Sequence, residues 1–208
     1  MSKNTFSIQA IHTNSMQKSI FFSWQAEIKP NRNFIESCIK KAIESLKTKD
    51  IHLDIAIDRD TIGSIGTVEI ANTIFSKIDN STIFIADVSF IASTENGRKL
   101  PNPNVLIELG YAANVLGWQN IITLINAHQE KVEELPFDIR HRRHIAFNAL
   151  PNIHNSASKT ALIKDLASAI SPILEKEIIK DSIINHFKLK IDETIFKICS
   201  SVYYLLFV

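Results

Sequence analysis

Short continuous apolar runs alternate with longer segments of helical period along most of the chain. KSIFFSW (18–24) predicts a first strand. Over 28–50, Phe34, Ile35, Cys38, Ile39, Ala42, Ile43 and Leu46 recur at helical spacing, with lysines and glutamates between them. Asn31 or Asn33 is placed to cap that helix. HLDIAID alternates, with Leu53, Ile55 and Ile57 on one face, and predicts a second strand. A loop with two glycines, RDTIGSIG, leads to Thr67, placed to cap a second helix whose body is VEIANTIFSKI. STIFIAD predicts a third strand, STENGRKLPNP a turn-rich loop, NVLIELGYAANVLG a third helix and NIITLIN a fourth strand. LPFDIRHR reads as an irregular loop and RHIAFN as a fifth strand. SKTALIKDLASAISPILEKEI reads as a final long helix, in which Pro172 marks a kink or break.

Apolar strands alternating with helices predict a parallel sheet covered on both faces. Five such strands in a chain of 208 residues fit an α/β, flavodoxin-like three-layer sandwich of strand order 2-1-3-4-5, with extra C-terminal helices. The expected organisation is a tail at 1–17, one domain at 18–175 and a helical extension at 176–208. In the extension, Ile178, Ile179, Ile183, Ile184, Phe187, Leu189 and Ile191 predict amphipathic helices. Ile195, Phe196, Ile198, Tyr203, Leu205 and Phe207 add to the apolar supply, and such surface has to pack on the domain or on another chain. The first strand ends in SWQ, so the GxGxxG fingerprint is absent, and no GxxxxGK[ST] loop occurs. Conventional dinucleotide oxidoreductases and P-loop enzymes are excluded.

Composition narrows the class further. A net charge of +1 gives no global bias toward nucleic acid or anionic lipid. Cys38 and Cys199 lie far apart without CxxC spacing, which points to a reduced cytoplasm rather than a disulfide framework. The polar start lacks the apolar core of a signal peptide, and the apolar end, VYYLLFV, is too short to span a membrane. No histidine spacing indicates a metal site.

The strand order locates a binding crevice where it reverses, beyond the carboxyl ends of strands one and three. Ser23 and Trp24 follow strand one there, Asp87 and Ser89 follow strand three, and the loop at 59–66 lies beside them. Glu108 stands in the third helix among apolar neighbours, in PNPNVLIELGYA. A buried carboxylate costs several kcal/mol unless paired. Glu108 therefore lies either on an exposed face or in the wall of a crevice. Each of the others also has a plain structural reading: Asp87 as a cap, 58–60 as a solvated turn, Trp24 as packing.

SWQ, IDRDT, PNPNVLIELGYA and LPFDIR, in that order over about 18–147, resemble a TIR (Toll/interleukin-1 receptor)-like domain of the bacterial antiviral type. PNPN stands where many such domains have Ser-x-Trp-Cys, and Ile65-Gly66 where they have Pro-Gly. The Glu-Leu-Gly-Tyr-Ala stretch is also similar to nucleoside deoxyribosyltransferases. Both families break an N-glycosidic bond.

The resemblance implies an enzyme that cleaves nicotinamide from NAD, as hydrolase or ADP-ribose cyclase, with NAD as substrate and no cofactor. Glu108 would be the catalytic carboxylate, facing the positive charge that develops on the ribose. Trp24 or Phe22 would stack on a base. Ser23 and Asp87 would hold the ribose, Arg59 the pyrophosphate, and Tyr111 would orient Glu108. Asp60, Ser89 and Asn104 complete the expected binding set. The basic cluster at 140–144 is either a further phosphate ligand or a solvated turn. TIR-like domains generally act by assembly, which implies self-association through domain surfaces or the C-terminal helices, with a partner protein of a defence system possible. The alternatives are a nucleoside or nucleotide N-glycosidase or deoxyribosyltransferase-like enzyme, and a non-catalytic module that binds a nucleotide or a partner.

Overall fold

The structure is a computed structural model that describes residues 18–47, 55–58, 67–128, 131–149 and 156–207. In chain order, the first half holds β1 (Lys18–Ser23), α1 (Lys29–Lys47), β2 (Ile55–Asp58), α2 (Thr67–Asp79) and β3 (Ile83–Asp87). A short pair follows, β4 (Phe90–Ser93) and β5 (Lys99–Pro101), and then α3 (Pro103–Val115). The second half holds β6 (Ile121–Asn126), α4 (Phe137–Arg140), β7 (His144–Phe147) and α5 (Ser156–Phe207).

Five strands form one sheet in the order β2-β1-β3-β6-β7, and every neighbouring pair is parallel. By rank along the chain this is 2-1-3-4-5, the flavodoxin-like order expected from the apolar runs. Ser23 is in register with Ala86, and Asp87 with Leu124. The carboxyl ends of β1, β3 and β6 therefore form one edge.

Strand side chains alternate between faces, and two cores result. Ile20, Phe22, Ile83 and Ile85 pack with Ile35 and Ile39 of α1 and with Leu162, Leu166 and Ile170 of α5. Phe21, Phe84 and Ala86 pack with Ile78 of α2 and with Val105 and Leu109 of α3. The Phe21 and Phe84 rings stack at 5.7 Å. The same parity decides which polar residues reach which side of the sheet.

Several expected local details differ. The stretch 93–103 is not only a turn-rich loop: β4 and β5 form an antiparallel ribbon. Its turn closes from Gly97 N–H to the Thr94 carbonyl at 2.9 Å, with Gly97 at φ 76°, where glycine is favoured. Part of the expected loop LPFDIRHR is helical, as α4. Neither Asn31 nor Asn33 caps α1, which begins at Lys29; Asn31 is buried instead. Pro172 does not break the last helix. α5 runs unbroken for 52 residues, because buried Leu166, Ile170 and Leu174 hold both sides of the proline against the core. Residues 1–17, the first half of HLDIAID and the loop at 59–66 lie outside the described residues.

Candidate active site

The N-terminus of α3 is set by its sequence. Asn102 caps it, accepting from Asn104 N–H at 2.8 Å, and Pro103 takes the first helical position, where its missing N–H costs nothing. Asn102 is held in turn by Gln25, whose Oε1 accepts its N–H at 3.2 Å. Its side chain donates to Glu27 Oε2 at 2.9 Å. The Gln25 side chain also donates to the Ser89 carbonyl. The residue after Trp24 thus ties the end of β3 to the start of α3.

Val105, Leu109 and Ala112 bury one stripe of α3 against the sheet. Glu108 lies beside that stripe and is half-buried. Ser23, on the α3 side of β1 and only 2% exposed, donates its hydroxyl to Glu108 Oε2 at 2.5 Å. Above the pair opens a groove of about 460 Å³, lined by Trp24, Ala26, Ala71, Ile74, Phe75, Asn102, Asn104, Val105, Ile107 and Glu108. Arg32 stacks over the Trp24 ring, with its Cζ 3.7 Å from the centroid. The groove sits at the carboxyl ends of the strands, beside the reversal between β1 and β3.

The structure brings together Ser23, Trp24, Asn104 and Glu108 of the expected set. It separates Phe22, Asp87, Ser89 and Tyr111 from them. Phe22 faces the opposite core and is 1% exposed. Asp87 shares that parity and is wholly buried. It accepts from Ser89 N–H at 3.1 Å and from Ser89 Oγ at 2.5 Å, and burial pushes its carboxyl pKa up. The Gln25 and Asn31 amides favour its charged form, yet Asp87 Oδ2 and Asn31 Nδ2 have no hydrogen-bond partner. Ser89 Oγ in turn accepts from Asn126 N–H at 2.9 Å. These residues form a polar cluster inside the domain, not a wall of the groove. Tyr111 turns to α2: its ring stacks on Phe75 at 4.3 Å and its hydroxyl donates to Asp79 Oδ1 at 2.8 Å. Arg59 and Asp60 lie outside the described residues.

The basic cluster at 140–144 lies at the start of β7, at the other end of the sheet from Glu108. Arg140 packs over Phe137 and Arg142 over Trp118. His144 bonds Thr123 Oγ1 and the Ile139 carbonyl, and burial lowers its pKa. A second cavity, of about 610 Å³, also opens there, between the starts of β6 and β7 and helix α5. Among the described residues, no group of three or more His, Cys, Asp or Glu could hold a metal ion.

Sequence reasoning missed Gln25 and Asn102. The motif PNPN before an apolar helix carried the signal for Asn102, an Asn-Pro step at a helix start. Nothing local marks Gln25, whose role depends on contacts with two distant elements.

Comparison with family models finds no match, so the TIR resemblance of the short motifs has no family-level counterpart. No curated protein matches the chain. Among solved structures, the chain is similar to a 2-desoxiribosyltransferase from Leishmania mexicana, at 20% identity and a TM-score of 0.42, over 71% of this chain and 97% of that one.

Proposed function

We propose that the protein is an enzyme that breaks the N-glycosidic bond of a nucleoside or nucleotide, with Glu108 as the carboxylate facing the anomeric carbon. The observation that carries this reading is the Ser23–Glu108 pair at 2.5 Å beneath an aromatic-walled groove. As the bond to the base breaks, positive charge develops on the sugar. A fixed carboxylate in a water-poor site stabilises that charge or captures the carbon covalently. Ser23 fixes the carboxylate's orientation. Trp24 and Phe75 offer apolar faces to a base, and Asn102 and Asn104 offer amides to hydroxyls or ring nitrogens.

Among the described residues, no lysine or arginine lines the groove. This favours a sugar and base at its centre, with any phosphate held elsewhere. NAD belongs among the substrates on motif resemblance: its leaving group is already cationic and needs no acid catalyst, and Arg59 is its proposed pyrophosphate ligand. Hydrolysis, cyclisation and transfer differ only in the nucleophile that reaches the sugar.

The test is chromatography after incubation with NAD and with a panel of ribo- and deoxyribonucleosides, beside Glu108→Gln. Release of free base or nicotinamide by the wild type, lost in the variant, supports the reading. The co-product then separates hydrolase, cyclase and transferase. Release that survives in Glu108→Gln removes Glu108 from the chemistry, and no release from any substrate refutes the enzymatic reading in favour of a binding module.

A further inference from the structure

The distal half of α5 presents an apolar band that nothing in the described domain covers. Every residue from 182 to 199 is exposed. Ile184, Phe187, Ile191, Ile195, Ile198 and Val202 are 46–60% exposed. At 3.6 residues per turn they fall within a band about 80° wide along one side of the helix. Their spacing of 3, 4, 4, 3 and 4 residues follows an eleven-residue repeat close to the period of a straight helix, so the band does not wind round it. Among the described residues, the last tether to the domain is the Lys18–Asp181 ion pair at 2.5 Å. Beyond it no core among the described residues lies under the helix, and helices in proteins owe most of their stability to the packing of an apolar face.

We propose that this band pairs with the same band of a second copy of the chain. Six large side chains, each about half exposed, offer on the order of 500 Å² per helix, so two copies together reach the ~1,000 Å² that a biological interface has to clear. The charge pattern fits a like partner: from 182 to 207 there are Lys188, Lys190 and Lys197 against Asp192 and Glu193. Such near-balance neither repels an identical helix nor selects a strongly charged partner. A membrane surface is a poorer fit, because helices that lie on one carry a strongly basic polar face, which three lysines against two acids do not make.

The test is the solution mass of the full chain by sedimentation velocity, for wild type, Ile191→Glu/Ile195→Glu and a control on the opposite helix face, Glu193→Gln. The wild type and the control are expected at twice the 23.5 kDa of one chain, and the double variant at one. Ile198→Asn supplies a milder second variant, expected to weaken the dimer at least tenfold. A monomeric wild type overturns the proposal, as does a double variant that still dimerises. Flotation of a monomeric wild type with phosphatidylcholine vesicles would assign the band to lipid instead.

Discussion

Ser23 donates its hydroxyl to Glu108 Oε2 at 2.5 Å, across 85 residues of chain. The contact joins the carboxyl end of β1 to the second turn of α3. It exists because strand parity turns Ser23, but not Phe22, toward α3, and because Glu108 borders the buried stripe of that helix. Ser23 is only 2% exposed, so the hydroxyl that holds the carboxylate is itself fixed by the packing of β1.

Replacing Ser23 by alanine removes a hydrogen bond to a charged group, an interaction of about 1.5–3 kcal/mol. Steady-state base release should show kcat lowered about ten- to hundredfold, with KM changed much less. Ser23→Thr, which keeps the hydroxyl, should recover most of the loss. A kcat for Ser23→Ala within twofold of wild type would separate Ser23 from catalysis.

Trp24 should report directly on the groove. The chain has two tryptophans, so Trp118→Phe leaves Trp24 as the only indole. Titration of that variant with a substrate should change its emission as the ring gains a stacked base. Trp24→Ala should raise KM more than it lowers kcat, because stacking acts on bound substrate and transition state alike.

Asn102 caps α3 and lines the groove, so its loss has two readouts. Asn102→Ala removes the acceptor for Asn104 N–H, worth about 1 kcal/mol. For a chain of this size the thermal midpoint should drop by roughly 2–4 °C. Asn102→Ser retains a capping oxygen and should recover stability without restoring the amide that faces the groove. Calorimetry and base release on the same two variants separate the roles.

The sheet was legible because IFF, IFIA and IITLI are buried on both faces and read as continuous apolar runs. Glu108 stood out because a carboxylate interrupted such a run. Periodicity also put Asp87 at the right end of the right strand. Choosing its face required the exact end of β3 and the presence of Asn31 on α1, which only packing reveals. Tyr111 follows Glu108 at a spacing that makes helix neighbours, but Phe75 and Asp79 of α2 compete for its ring and hydroxyl. The ribbon of β4 and β5 escaped notice because its strands are three or four residues long, too short for alternation to register.

Tyr111→Phe should leave kcat and KM unchanged, since the hydroxyl bonds Asp79 rather than Glu108. The Asp79 carboxylate also raises the Tyr111 pKa. A spectrophotometric titration should therefore show one tyrosine ionising later in the wild type than in Asp79→Asn. A tenfold loss of kcat in Tyr111→Phe would restore it to the site.

Asp87 should make stability depend on pH in the sense opposite to a carboxylate stabilised by an ion pair. Burial raises its folded pKa above the ordinary 3.8, and the donors Ser89, Gln25 and Asn31 counter this only in part. Below 3.8 the folded and unfolded chains both hold the proton, and the group makes no difference. Between 3.8 and the raised value the folded chain holds more protons than the unfolded one, so stability falls as pH rises. Above the raised value the loss is complete and constant. Asp87→Asn keeps an uncharged side chain of the same shape at every pH. The urea midpoint of the wild type, measured relative to that variant, should decline from pH 4 upward and then level off. A relative midpoint that stays flat, or that rises, from pH 4 to pH 8 would mean that the donors around Asp87 outweigh its burial, and that this buried polar cluster is built to hold a charge.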